Sequence, residues 1–217
     1  MTARFIAPAV DNDAATRDRL LAAGTRLFAE HGFQNVTVRD ICTAATANVA
    51  AINYHFEGKA GLYMEVLRTA VAIMRGTTEA MVQSGEGRPA EAQLENLVRT
   101  FLERVCAGRD GWIHQLMMQE MKEPTAGLDL VVEQVIGPRF AYIRAVVAAL
   151  LDSDDDTAPL VIACATSVQS QLMVALRSPM AAKLGIPTLT LERVPDVARH
   201  IARFSIAGIH ASRDHTA

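Results

Sequence analysis

The chain has 217 residues, enough for one large domain or two smaller ones; half are apolar and only 5% aromatic, so the core must rest on Leu, Val, Ile, Ala and Met. A net charge of −3 argues against a basic, sequence-indifferent nucleic-acid binder but leaves room for a local DNA-reading site. Cys42, Cys106 and Cys164 are odd in number and far apart, which argues against a disulfide framework or a zinc cluster and fits a reducing, cytoplasmic setting.

Strand formers are not grouped in alternating runs, whereas Ala, Leu, Arg and Glu are abundant, so the expected class is all-α. Residues 1–15 read as a loose arm without the apolar run of a secretory leader. A helix follows over about 16–31, with Leu20, Gly24, Leu27 and Phe28 on one face and Leu21 at its edge. Gly32 is its expected C-cap, with Phe33 packing back. Thr37 caps a second helix, and Asp40 completes an acidic capping box; Val38, Ile41 and Ala45 point inward. Asn48 caps a third helix, with Val49, Ile52 and Phe56 inward, Ala50, Ala51 and Tyr54 outward, and Asn53 and His55 on the flanks. Glu57-Gly58 ends it, and Lys59 opens a long fourth helix to about Met81, with Leu62, Val66, Leu67, Val71 and Met74 as its apolar stripe.

The stretch 84–89, SGEGRP, reads as a linker. Further helices are expected over about 90–107, 112–122, 127–151, 157–177 and 195–211, giving about nine in all. Gly137-Pro138 should kink or split the third of these, and 178–193 should be a long loop. The uncharged run 157–176 approaches membrane length, but Ser167, Gln169, Ser170 and Gln171 interrupt it, so it reads as a buried helix and no membrane partner is expected.

Residues 37–59 therefore form two short helices around a tight turn, a helix-turn-helix able to fit a helix into a DNA groove. Over 16–62 the charges nearly cancel: Arg17, Arg19, Arg26, Arg39 and Lys59 against Asp18, Glu30, Asp40 and Glu57. A few placed contacts must then do the binding. Thr37 and Lys59 stand at helix N-termini suited to phosphate. Tyr54 and His55 can donate to backbone oxygens, and the small Ala50 and Ala51 allow close approach to base edges. Taken singly, Thr37 and Asn48 read equally well as caps and His55 as a surface residue; their joint spacing carries the inference.

The segments LFAEHGFQNVTVRDI and INYHFEGKAGLY, with the turn between them, resemble the DNA-binding domain of TetR-family transcriptional regulators over about 17–63, and the INYHF wording resembles a CecR-like subgroup. The resemblance implies an all-helical homodimer with a helix-turn-helix domain at 16–62 and a ligand-binding and dimerisation domain at 63–217. It also implies DNA contacts at Thr37, Asn48, Val49, Ala50, Ala51, Asn53, Tyr54, His55 and Lys59. Two positions depart from the family pattern. Thr46 stands in the turn where Gly is usual, a strained choice if φ is positive there. Asn53 stands where Tyr is common, and Glu57 should repel phosphate slightly.

In the second half, Trp112, His114, Met117, Met118 and Met121 share a helical face that suits an adaptable apolar pocket or ordinary core, with Phe101, Phe140 and Gln171 as further pocket candidates. Gln171 needs a polar partner, from a ligand or from another helix. The helices at about 157–177 and 195–211 carry wide faces (Leu160, Ala163, Ser167, Ser170, Val174; Val197, Ile201, Phe204, Gly208) that suit a four-helix dimer interface. Asp152, Asp154, Asp155 and Asp156 lack the spacing of a calcium loop, so no metal and no cofactor are expected. No GxSxG, HExxH, P-loop or dinucleotide fingerprint is present, which argues against an enzyme. The expected function is a ligand-responsive repressor bound to a double-stranded, pseudo-palindromic operator and released by a small apolar or drug-like effector. The alternative is a helical protein-interaction module that does not bind DNA.

Overall fold

A computed structural model describes residues 10–107, 111–174 and 183–214; residues 1–9 of the expected arm and 178–182 of the expected loop lie outside them. Among the described residues there is no strand. The helices are α1 (Val10–His31), α2 (Val38–Ala45), α3 (Val49–Phe56), α4 (Lys59–Gly85), α5 (Ala90–Cys106), α6 (Gly111–Lys122), α7 (Gly127–Val131), α8 (Gly137–Leu150), α9 (Pro159–Val174) and α10 (Val194–Asp214). A π-helical turn, Val132–Ile136, joins α7 to α8, and a 3₁₀ turn, Leu191–Arg193, precedes α10. The expected linker is shorter than SGEGRP suggests, because Ser84 and Gly85 complete α4.

The chain divides into two compact units, residues 1–71 with 111–129, and 72–110 with 130–217. The first thus contains α6, which the sequence placed beyond the DNA-reading domain.

In this N-terminal unit α1 buries Leu20, Ala23 and Phe28, and Gly32 turns the chain at φ +79°. Phe33 packs back as expected, its ring centroid 6.1 Å from Phe28 and 4.8 Å from Tyr63. Tyr63 stands edge-on to Phe28 at 5.0 Å. Its hydroxyl donates to Glu120 Oε2 on α6, and Glu120 Oε1 accepts from the Thr125 amide (2.8 Å) and hydroxyl (2.7 Å). A carboxylate buried this fully is tolerable because donors surround it. Burial, reinforced by the Glu120 bond, pushes the Tyr63 hydroxyl far above its ordinary range, so it stays a proton donor. On α6 the inward side chains are Ile113, Leu116 and Glu120.

The C-terminal unit builds its core from Leu94, Leu97, Val98 and Leu102 of α5, Ile143, Val146 and Val147 of α8, Val161, Ala165, Val168 and Leu172 of α9, and Ala198 and Ile201 of α10. Each of the Leu, Ile and Val side chains among them contributes roughly 1.5–3 kcal/mol by leaving water. The expected kink at Gly137-Pro138 takes the form of the π turn. Pro138 has no N–H and its ring would strike the preceding turn, so the helix widens by one residue there. The Gly137 amide donates to Val132 O, and a Cβ at Gly137 would lie 3.0 Å from that same oxygen. The acidic loop is internally engaged. Asp155 Oδ1 accepts from the Thr157 amide (2.8 Å) and hydroxyl (2.6 Å), Asp152 pairs with Arg213 (2.7 Å) and Asp156 with Arg144 (3.4 Å).

Candidate nucleic-acid interface

The helix-turn-helix is assembled from local signals. Thr37 Oγ1 accepts from the Asp40 amide (3.2 Å), while Asp40 Oδ2 accepts from the Thr37 amide (2.8 Å) and hydroxyl (2.6 Å). These bonds, side chain first, hold the Asp40 carboxyl below its ordinary range. At the other end of α2, Thr46 adopts φ 50°, ψ 50°, the left-handed conformation. Its amide donates to Thr43 O (3.3 Å) and that of Ala47 to Cys42 O (2.9 Å), the paired bonds of a Schellman cap. The turn therefore does demand positive φ, and a β-branched residue meets it at a cost of about 1–2 kcal/mol.

Asn48 Oδ1 then accepts from the Ala50 amide (3.0 Å) and starts α3. Glu57, also left-handed at φ 58°, ends it, with its amide bonded to Asn53 O (3.1 Å). The next junction needs a glycine for a different reason. A Cβ on Gly61 would come 1.7 Å from Phe56 O, so any side chain there must push α3 and α4 apart.

Tertiary contacts hold this motif on α1. Arg19 Nε donates to Ala45 O (3.1 Å), closing the end of α2. Arg17 pairs with Glu65 (2.7 Å) and lies over the Phe56 ring at 5.1 Å. Ile52 and Phe56 are the buried side of α3. Val49 is not part of it: it is 46% exposed, because a two-turn helix seats its second turn on the core and leaves its first residue overhanging. Val49 therefore joins Asn48, Ala50, Asn53 and Tyr54 as exposed residues, with Ala51 half-buried.

Three expected donors have other engagements, Thr37 through its two bonds to Asp40. Lys59 Nζ donates to Phe33 O and Val36 O, both at 2.9 Å, so two of its three protons tie the α1–α2 connection to the start of α4. The His55 side chain is only 8% exposed, and its Nε2 lies 3.3 Å from Asp13 of α1. Conversely, Arg39 on α2 was not singled out by sequence reasoning. It is exposed and makes no ion pair among the described residues, so it is available for phosphate beside Thr37. Its signal was its place within the first turn of a capped helix.

A family model described as bacterial regulatory proteins of the tetR family matches residues 20–66, and one described as the C-terminal domain of the HTH-type transcriptional dual regulator CecR matches residues 90–209. The chain belongs to the TetR family, in its CecR-like branch. It is 28% identical over 147 residues to the HTH-type transcriptional dual regulator CecR of Shigella flexneri, spanning 64% of this chain and 66% of that protein. It is 36% identical over 91 residues to the HTH-type transcriptional repressor KstR2 of Rhodococcus jostii (strain RHA1), spanning 42% and 44%. These matches span less than two thirds of the length of the relatives. The fold is that of the TetR-family regulator PfmR from Thermus thermophilus, with a TM-score of 0.65 at 18% identity over 88% of this chain and 98% of that one.

The pocket candidates of this TetR-family chain divide between the two units. Trp112, His114, Met117, Met118 and Met121 lie on α6 in the N-terminal unit, and Phe101, Phe140 and Gln171 lie in the C-terminal unit. Met118 and Met121 are 52% and 64% exposed and stand in solvent rather than lining a cavity, because the stripe of Ile113, Leu116 and Glu120 takes the inward side of α6. Trp112 borders an open cleft with Leu21, Thr25 and Ala29 of α1. Gln171 finds its partner on another helix, donating to Ser205 Oγ of α10 at 3.0 Å. Phe101 is buried in the C-terminal core, and Phe140 packs at its edge. No sequence pattern pointed to Arg139, which is buried beside Phe101.

Proposed function

We propose that this chain is a ligand-responsive DNA-binding transcriptional regulator, acting as a repressor that binds a pseudo-palindromic operator as a homodimer. The observation that carries this reading is α3 itself. It is buried through Ile52 and Phe56 and turns His55 towards α1, and it presents small or polar side chains outward at Asn48, Ala50, Asn53 and Tyr54. A helix of that profile enters a major groove without steric conflict. Arg39, exposed on the preceding helix, supplies a phosphate donor that sets its register.

Dimerisation through α9 and α10 is supported by what those helices leave uncovered: Ile162, Ala163 and Thr166 on α9, and Phe204, Ala207 and Gly208 on α10. Ile201 and Leu160 contribute less than their sequence spacing suggested, since Ile201 is buried within the subunit and Leu160 is half-buried. The effector, a small apolar or drug-like molecule, favours one arrangement of the two DNA-reading heads by no more than its difference in affinity for the two states.

The test is selection of random duplex DNA by the purified protein near physiological salt. The expected result is enrichment of an inverted repeat. Ala50→Glu should lower affinity for that repeat at least about a hundredfold, since it sets a carboxylate against base edges and phosphates, with the dimer and its melting temperature unchanged. No enrichment by the folded, effector-free dimer, or retained binding by Ala50→Glu, overturns the placement of α3 and leaves the protein-interaction module as the reading.

A further inference from the structure

The C-terminal unit contains a cation that no described residue neutralises. Arg139, on the first turn of α8, is 7% exposed, yet its Nε is buried without any hydrogen-bond partner. Its guanidinium carbon lies 5.3 Å from the centroid of the Phe101 ring, which belongs to the apolar core that α5 and α8 share. No ion pair to Arg139 occurs among the described residues. Arg144, five residues further along α8, shows the contrast: its Nε is also buried and unpartnered, but its terminal nitrogen pairs with Asp156 at 3.4 Å. A buried guanidinium costs free energy unless an anion compensates it, and burial already pushes its pKa down.

One more observation bears on the same part of the unit. The π-helical turn Val132–Ile136 ends just before Gly137 and Arg139, and such turns break the regular hydrogen-bond register that would otherwise hold a side chain in place. Elsewhere in the unit, Gln169 Oε1 of α9 is likewise buried without a partner.

We propose that Arg139 is the anion-recognising group of the C-terminal unit, binding the carboxylate of an amphipathic effector whose apolar body lies against the side chains around Phe101. This rests on the reading of the chain as ligand-responsive, and it narrows the effector from any apolar molecule to an organic acid. The planar guanidinium matches a carboxylate with two parallel N–H donors, and the Phe101 ring holds its face. The binding step is non-covalent and moves no proton, since a carboxylate is ionised and arginine charged at neutral pH.

The experiment uses the full chain with decanoate and 3-phenylpropionate, each compared with its own primary amide, by calorimetry and thermal melting. Both acids should bind roughly tenfold to a hundredfold more tightly than their amides and raise the melting temperature. Arg139→Met should bind acid and amide alike and melt, ligand-free, at or above the wild-type temperature, because an apolar side chain replaces an uncompensated charge. Arg139→Lys should keep part of the preference for acid. Equal affinity for acid and amide, no binding of either acid, or an Arg139→Met protein that melts well below wild type while Arg139→Lys does not, overturns the proposal. Affinity for the selected operator duplex is measured separately. Acid binding through Arg139 with unchanged operator affinity sinks the ligand-responsive reading and keeps the site. Operator release by the amides as readily as by the acids sinks the site and keeps that reading.

Discussion

The two units of this chain are stabilised in different ways. In the N-terminal unit, most of the geometry around α2 and α3 comes from bonds between residues within a few positions of each other: the Thr37–Asp40 box, the left-handed cap at Thr46, the Asn48 cap and the Gly61 close approach. In the C-terminal unit the described helices bear few such signals. There α5, α8, α9 and α10 are positioned by aliphatic burial, and the polar exceptions, such as Asn96 with Ser84 (2.7 Å) and Gln171 with Ser205 (3.0 Å), join residues far apart in sequence. On the proposed function, the surface that meets DNA in a fixed shape is defined by short-range bonds, and the unit that responds to a ligand is defined by packing, which tolerates rearrangement more readily.

Substitutions test that contrast, and the largest effect is expected at Gly61. Gly61→Ala puts a methyl against the Phe56 carbonyl and should cost about 3 kcal/mol, read as a lower melting temperature together with loss of operator binding. An unchanged melt would mean that the α3–α4 junction is not rigid, and the contrast would fail at its strongest point. Tyr63→Phe is the long-range counterpart in the same unit. It removes one donor from the buried Glu120 and should cost about 1–2 kcal/mol by chemical denaturation. A cost as large as that of Gly61→Ala would show that the N-terminal unit depends as much on distant bonds as on local ones.

Thr46→Gly should act in the opposite direction, raising stability by about 0.5–1 kcal/mol through relief of left-handed strain, less the entropy that glycine adds to the unfolded chain. Destabilisation would mean that the Thr46 side chain makes a contact worth more than the strain. The smallest effect is at Asp40. Its carboxyl is held below its ordinary value of about 4, so its contribution is present above that pH and is lost as pH falls through the lower folded value. Thr37→Val removes the donating hydroxyl, so the melting-temperature difference between wild type and variant should be present at pH 6 and narrow towards pH 2. A difference that is constant with pH would show that the capping box contributes through the backbone amide alone.

Much of this was legible from single residues. Gly32, Thr37, Asn48 and Glu57-Gly58 end or begin helices where their backbone and side-chain chemistry says they should, because a cap needs only its own neighbours. Val49 misled because the helical wheel gives direction but not how far the supporting core extends beneath a two-turn helix. The methionine face of α6 misled for a related reason: two faces of that helix carry apolar residues, and only packing against α1 decides that Ile113, Leu116 and Glu120 turn inward. Arg39 was passed over because an exposed cation has no pattern of its own.

By itself, then, the sequence determined the helical class, the positions of the caps and breaks and the family to which the chain belongs, all properties of short windows in which each residue acts on its immediate neighbours. The tertiary structure decided what depends on distant residues meeting. It tied Lys59 and His55 to internal partners, joined Tyr63 of α4 to Glu120 of α6, gave Gln171 a partner on α10, and buried Arg139 against Phe101 without a counter-charge among the described residues. Whether a polar group is satisfied is set by what the fold brings within about 3 Å of it, and no local window contains that information.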